Sequence, residues 1–412
     1  MSDRFQAPRG THDVLPDDRL WWHVVRTIEE QTTLYGWRRV QTPGFEDTGL
    51  FARTAGAASD VVNKEMYTFT DRGDRSLTLR PEGTAPIARA YVEHGLHREP
   101  QPVKAYTIAP MYRYGAPGRG RYREHWQLSL EALGSAGPEI DAEIVQFYVE
   151  LLRRLGVTDW ELHLNSIGDA RCRPQYVERL NAWLDAHADV LDEDALHKRA
   201  TSPLQVFDVK SPQVRAALEE APKIGESLCD PCREHFDALR RLLDALAVPY
   251  VVDPVLVRGL DYYTRTTFEF VGPEENVNST ICGGGRYDGL VEQIGGPATP
   301  AIGFGAGLER LLLAIEREGL EPEQARLDVF FVLEDERERE RVLRLMAELR
   351  RGGVACDTDY AGRSLKGQLT QAGRVDARAT AIVRAGEATI RRHGETDAVV
   401  ALDELAATLT AR

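Results

Sequence analysis

Three consecutive glycines, Gly283-Gly284-Gly285, lie inside a strand-like run that opens at Ile281 and closes at Arg286-Tyr287-Asp288. Glycine weakens a strand, because it packs nothing on either face and loses more conformational freedom than any other residue. A glycine triplet there marks a place where a ligand or another backbone comes close. The chain around it supplies the rest of a sheet. Short alternating stretches at 37–42, 76–79, 103–108, 127–130, 160–165, 266–271 and 279–282, with another near Tyr250, read as strands. Gly, Pro or charged turns bound the early ones, the pattern of antiparallel strands.

Helical spacing appears elsewhere. Trp21, Val24, Val25 and Ile28 recur at i, i+3, i+4, i+7, with Asp17 or Asp18 as cap and Gly36 as stop. Residues 140–156 repeat that period up to Gly156. Residues 170–247 read as successive amphipathic helices, and 303–318 as a long, mostly apolar helix. From 328 onward strands (328–333, 354–357, 379–383) alternate with helices (334–352, 365–371), which predicts a small α/β domain with a mainly parallel sheet. The expected fold is therefore α+β. An antiparallel body at 1–325 carries a helical insertion at about 170–247, followed by an α/β module at 326–412.

At 412 residues, 42% hydrophobic and 28% charged, the chain has ordinary globular composition with room for two cores. The N-terminus lacks an apolar leader and no apolar run is long enough to span a bilayer, so no membrane association is expected. Five scattered cysteines argue against a disulfide framework and for a reducing cytoplasm. Net charge is −14, but residues 326–412 hold 15 basic and 15 acidic side chains, so the body carries all of it. Within 351–392 there are 8 basic against 4 acidic residues, so a polyanion can dock locally on a chain that repels it globally.

Four segments carry the chemistry. In 111–127, a strand ending at Arg113 turns through an Arg- and Gly-rich loop (Arg119, Arg121, Arg123) into a strand carrying Gln127 and Glu131. Arginine presents a planar fork of donors suited to phosphate, and a glycine-rich loop lets a long ligand approach. Segment 257–270 pairs Tyr262 and Tyr263 with Arg258, an aromatic box with polar handles or simple edge-strand packing. The third is the glycine triplet. In the fourth, 301–313, glycine-rich backbone leads into a helix that sets Arg310 near its positive end, where a polyphosphate fits.

In this order and spacing the four segments resemble the class II aminoacyl-tRNA synthetases, and within them the histidine enzymes. The likeness runs through Pro8-Arg-Gly-Thr-His-Asp-Val-Leu-Pro16, Thr42-Pro43-Gly44-Phe45-Glu46 (similar to the dimer-forming motif of the class), 79–86 and Arg258-Gly-Leu-Asp-Tyr-Tyr263. It implies activation of L-histidine by ATP, with Mg2+, to histidyl-adenylate. Transfer to the 3′ end of tRNA(His) follows, in a cytoplasmic homodimer whose C-terminal module binds the anticodon. It also implies roles: Arg113 on the ATP α-phosphate, Arg310 on the γ-phosphate, and Arg258 on the charge that develops between α-phosphate and carboxylate. Glu82, Gly83, Thr84 and Gln127 match the α-amino end of histidine; Glu131, Tyr262 and Tyr263 match its imidazole; Arg119, Arg121 and Arg123 match the tRNA acceptor end. Gly115 departs from the family's usual glutamate two residues after Arg113. Catalytically inactive relatives that sense histidine are disfavoured, since the three ATP-site arginines and the C-terminal module are present. No metal site is expected from Cys229-Asp-Pro-Cys232 and His235, because one C-x2-C lacks a second pair of ligands.

Overall fold

The computed structural model describes residues 5–54, 61–209, 211–260, 262–273, 280–321 and 326–410. Asp261 of the tyrosine motif and Ser279 of the expected strand fall outside them. The chain divides into two compact units, Met1–Pro322 and Glu323–Arg412.

The first unit is built on an eight-stranded sheet. In chain order its strands are β1 (Arg38–Arg39), β2 (Val103–Tyr112), β3 (Glu124–Leu133), β4 (Glu161–Ser166), β5 (Val251–Val252), β6 (Thr264–Val271), β7 (Thr280–Arg286) and β8 (Ala301–Gly307). They lie side by side as β1-β2-β3-β8-β7-β6-β4-β5. The six inner strands are antiparallel throughout, and only the two-residue edge strands pair in parallel. Strand alternation sorts the faces. Leu128, Leu130, Phe268, Phe270 and Phe304 enter one core, which the helices Arg19–Leu34 and Pro138–Arg154 cover through Trp21, Val24, Ile28, Phe147 and Tyr148. The opposite face is shared between the site and a second core that includes Ala105, Leu133, Tyr91, Leu290 and Ala301.

Asp18 stands at the first helix's N-cap position, yet its carboxylate turns back to accept the Leu15 N–H and makes no cap bond. Gly36 ends that helix at φ +71°, a left-handed conformation that glycine takes without strain. The strand expected at 76–79 forms there, but in a separate three-stranded sheet with Phe45–Asp47 and Thr68–Thr70.

One expectation fails outright. Residues 303–307 are not the start of a helix: they belong to strand β8, and the helix runs Leu308–Arg317. Glycines alternating with Ile302, Phe304 and Ala306 have period two, which the apolar run that follows obscured. Between β4 and β5 the described residues form helices Arg173–Ala186, Glu193–Thr201, Pro212–Leu218 and Asp230–Ala245, joined by 3-10 turns.

The second unit has five strands, β9 (Val329–Leu333), β10 (Cys356–Thr358), β11 (Ala379–Arg384), β12 (Glu387–Arg392) and β13 (Ala398–Ala401), in the order β10-β9-β11-β12-β13. β10, β9 and β11 are mutually parallel, while β12 and β13 add in antiparallel fashion. The sheet is thus mixed rather than mainly parallel. The hairpin escaped sequence reading because residues 384–401 are polar and charged at most outward positions. Charge counting also misleads there: Arg363, Arg378, Arg391 and Arg392 are paired with Asp359, Asp328, Asp397 and Glu395.

Candidate active site

Two glycine-rich strands lie side by side at the sheet centre, with Gly283 opposite Gly305 and Gly285 opposite Gly303. Together they form a floor almost bare of side chains. Its neighbours use the space. A β-carbon on Gly303 would stand 1.7 Å from Glu131 Oε2, and one on Gly283 would stand 2.5 Å from Arg258 Nη1. A cleft of about 570 Å3 opens on this face, lined among others by Glu82, Thr84, Arg113, Gln127, Arg258 and Arg310.

One part of the site is a small aromatic pocket. On β3 the residues alternating with the core leucines are Gln127, Ser129 and Glu131, and Gln127 Nε2 donates to Ser129 Oγ at 2.8 Å. Glu131 is fully buried. Thr84 Oγ1 donates to its Oε1 at 2.7 Å and the Tyr287 hydroxyl to its Oε2 at 2.5 Å. Burial outweighs these hydrogen bonds and, helped by the charge of Glu82, pushes the Glu131 carboxyl up to about 8. Tyr262 and Tyr263 meet at 4.7 Å between ring centroids, and Tyr262 meets Tyr287 edge-on at 5.7 Å. Apolar ring faces with phenols and a carboxyl at their rims suit a flat group that needs both a donor and an acceptor.

Glu82 sits beside this pocket with a second task. Its two oxygens accept the Thr84 and Ala85 N–H groups at 2.6 and 2.9 Å, closing the start of the helix Thr84–Glu93. Burial raises its pKa against those bonds and the nearby Arg113. Gly83 keeps the helix start tight against β3, since a β-carbon there would lie 2.2 Å from Ser129 Oγ.

The other part is cationic. Arg113, just past the end of β2, donates from Nε to the Pro81 carbonyl at 2.8 Å. Arg310, in the first turn of Leu308–Arg317, donates to the Gly120 and Thr280 carbonyls at 3.3 and 2.7 Å. Arg258 crosses Gly283 and pairs with Glu269. Burial lowers the pKa of Arg310, and the charges of Arg113, Arg121 and Arg258 lower it further. Glu269 and Glu65 offset two of these charges, whereas Arg113 and Arg310 rest on backbone carbonyls, so the cleft keeps a positive potential that suits an anion. His125 lies among them; burial and the charges of Arg113 and Arg310 lower it to about 3, so its imidazole stays neutral.

The three loop arginines separate. Arg121 lines the cleft and pairs with Glu65 at 3.2 Å. Arg119 reaches Glu316 at 3.6 Å. Arg123 folds back, its guanidinium 4.1 Å above the Tyr114 ring and its Nε on the Gly115 carbonyl at 3.2 Å.

Tyr287, His125, Glu309 and Glu65 received no role from sequence. Tyr287 follows the glycine triplet directly, which was the available signal. Glu65 had none, because it arrives from a distant segment at the spot beside Gly115 and Arg121. Glu309 accepts the Trp126 N–H at 2.9 Å, burial raises it to about 7, and its other oxygen is buried with no partner among the described residues. From the helical insertion, Asp194, Lys198 and Asp208 also reach the cleft.

The cysteines depart from expectation too. His235 turns away to Asp141, with Nε2 2.8 Å from Oδ2, while Cys172 and Asp169 join Cys229 and Cys232 so that all four ligand atoms lie within 4.8 Å.

A cluster of arginines on the face of an antiparallel sheet, beside an enclosed aromatic pocket, separates this fold from nucleotide folds that bind at the carboxyl ends of parallel strands. Cluster and pocket together define a class II aminoacyl-tRNA synthetase. The family model described as histidyl-tRNA synthetase matches residues 10–311. Curated relatives include Histidine--tRNA ligase of Moorella thermoacetica, 47% identical across 93% of this chain and 91% of that one. That of Anaeromyxobacter dehalogenans is 46% identical across 98% and 99%. The crystal structure of apo S. aureus histidyl-tRNA synthetase superposes with a TM-score of 0.83 at 35% identity, over 99% of this chain and 100% of that chain. The chain belongs to the histidyl-tRNA synthetase family. No helix among the described residues is long and apolar enough to cross a membrane.

Proposed function

We propose that this chain activates L-histidine with ATP and transfers the histidyl group to the 3′ end of tRNA(His), releasing pyrophosphate and AMP. The observation that carries this reading is the convergence of Arg113, Arg121, Arg258 and Arg310 on one cleft that also reaches Tyr262, Tyr263 and Thr84, the last hydrogen-bonded to Glu131. In activation a histidine carboxylate oxygen attacks the ATP α-phosphorus as the bond to pyrophosphate breaks. Such a step depends on positioning and charge neutralisation. Arg113 holds the α-phosphate and Arg310 the γ-phosphate. Arg258 lies between phosphate and carboxylate, where negative charge builds up. Its pairing with Glu269 and the bare floor at Gly283 fix its position in advance.

Thr84, Gln127 and Glu82 take the α-amino end of histidine, with Gly83 keeping that corner close to β3. Glu131 and the tyrosines take the imidazole, whose ring nitrogens need one acceptor and one donor. Glu131 serves one of them, as acceptor when ionised or donor when protonated, and a tyrosine hydroxyl serves the other.

Mg2+ fits the donor set, since one buried oxygen of Glu309 has no partner among the described residues and magnesium is held by one or two carboxylates plus phosphate oxygens. Bound there it would neutralise triphosphate charge.

The loop offers Arg121 to the 3′-terminal phosphate, with Arg119 further out and Arg123 holding the loop's shape. The unit Glu323–Arg412 serves as the anticodon-binding domain, and Met1–Pro322 as the catalytic domain. Phe45 and Phe69, 50% and 43% exposed and in contact with each other, support a homodimer formed across the three-stranded sheet. The protein works in the cytoplasm. Charging of tRNA(His) with labelled histidine in the presence of ATP and Mg2+ is the test: folded protein that charges no tRNA contradicts the reading.

A further inference from the structure

Where β4 ends, the chain turns through Gly168 and Asp169 into the helix Arg173–Ala186, and the helix Asp230–Ala245 starts beside it. Cys172 is the N-cap of the first helix and Cys229 that of the second, with Cys232 in the second's opening turn. The Cys172 and Cys232 sulfurs stand 3.9 Å apart; Asp169 Oδ1 is 3.9 Å from Cys172 Sγ and 4.0 Å from Cys229 Sγ. A zinc ion with Zn–S bonds of about 2.3 Å spans about 3.8 Å between sulfurs of a tetrahedron. The cluster already has nearly that size.

Three features around the cluster suit a cation. Gly168 adopts φ +62°, and a β-carbon there would stand 2.6 Å from Cys172 Sγ, so the backbone wraps closely around the sulfur. The start of the second helix stabilises thiolates at its N-cap and first turn. Arg171 and Arg265 reach the remaining oxygen of Asp169 at 2.6 and 3.5 Å. They orient the carboxylate as outer partners of a metal ligand do, and they offset the negative charge that three thiolates and a carboxylate keep around a divalent ion.

We propose that Cys172, Cys229, Cys232 and Asp169 form a structural zinc site that closes the root of the helical insertion. Next to it, Arg173 donates to the Ile167 and Gly168 carbonyls at 3.3 and 3.2 Å, and to the Tyr263 carbonyl at 2.7 Å. The site therefore lies one residue from a contact that holds the wall of the amino-acid pocket. The metal takes no part in the reaction; it fixes where two helices leave the sheet.

The test is metal content and cobalt spectroscopy on the full chain. Protein purified without chelator should carry one zinc per chain. Metal-free protein given Co2+ should show tetrahedral d–d bands and a thiolate-to-cobalt charge-transfer band, saturating at one equivalent. The double variant Cys229→Ser/Cys232→Ser should lose both signals, whereas Cys356→Ser, in the other unit, should keep them. Arg171→Ala, which removes an outer partner of Asp169 and keeps all four ligands, should weaken zinc binding by about 10–100-fold. Folded wild-type protein that takes up neither zinc nor cobalt would overturn the proposal. So would an intact mass showing a Cys172–Cys232 disulfide in protein kept under reducing conditions. Both readouts come from the unmutated chain, so they decide the matter even where the double variant does not fold.

Discussion

Thr84 Oγ1 donates to Glu131 Oε1 across 2.7 Å, so the first turn of one helix and the centre of the sheet share a single buried carboxyl. Burial raises that carboxyl from 4.5 to about 8. A raised carboxyl binds its proton in the folded chain after the unfolded chain has lost it. Its contribution to stability is full below about pH 4.5 and falls away as pH rises to about 8. The free protein should therefore lose stability faster over that window than Glu131→Gln, by up to about 1.4 kcal/mol per pH unit. Chemical denaturation of both proteins at several pH values measures the difference. Parallel curves would show that the carboxyl is ionised throughout.

Arg258→Ala should lower kcat by about 10²–10³ and change the histidine KM far less, as expected for charge stabilised only in the transition state. Gly283→Ala offers a gentler version, because its methyl would press on the Arg258 guanidinium without removing it. It should lower kcat by a smaller factor while leaving the fold intact. A raised histidine KM with unchanged turnover in either variant would place Arg258 in ground-state binding.

A second prediction about stability concerns Asp141. Its Oδ2 accepts from Arg286, Thr266 and His235 at 3.0, 2.7 and 2.8 Å, all buried. Burial alone would raise its pKa, but the His235 hydrogen bond and the Arg286 charge hold it below the usual carboxylate range. Asp141→Ala leaves the fully buried Arg286 without its main counter-charge, and should destabilise the first unit by about 3–5 kcal/mol. Denaturant unfolding reports the loss.

The glycine floor was legible as a place of close approach, and Arg113, Arg258, Gln127, Tyr262 and Tyr263 were legible as candidates because they sit in motifs; all five line the cleft. Their arrangement was not legible. Glu131 and Tyr287 lie 156 positions apart, and nothing local says that their side chains meet. The helix expected at 303–318 failed for a similar reason: residues 303–307 form a strand only because β7 and β3 flank them. Cys172 stands 60 positions from Cys232, so a cluster of three thiols and a carboxylate looked like a lone pair of cysteines. Arg119, Arg121 and Arg123 are close in sequence, yet the turn at Gly118–Arg121 sends them three ways.

Removing residues 323–412 should leave activation largely intact, because every lining residue of the cleft belongs to the first unit and the second has its own core of Val329, Phe331, Met346 and Ile390. Aminoacylation should fall by at least about tenfold, a loss of about 1.4 kcal/mol of tRNA binding. Higher salt should deepen that defect more than any defect in activation. A folded truncation that no longer activates histidine would make the second unit part of the activation machinery.

Amino-acid-dependent exchange of pyrophosphate into ATP, run with each standard amino acid in turn, tests the central claim most directly. It reads adenylate formation alone, without tRNA. Exchange should occur with histidine and no other amino acid, and Arg113→Ala and Arg310→Ala should each abolish most of it. Exchange driven by another amino acid, or none with histidine in folded protein, would contradict the assignment of the cleft.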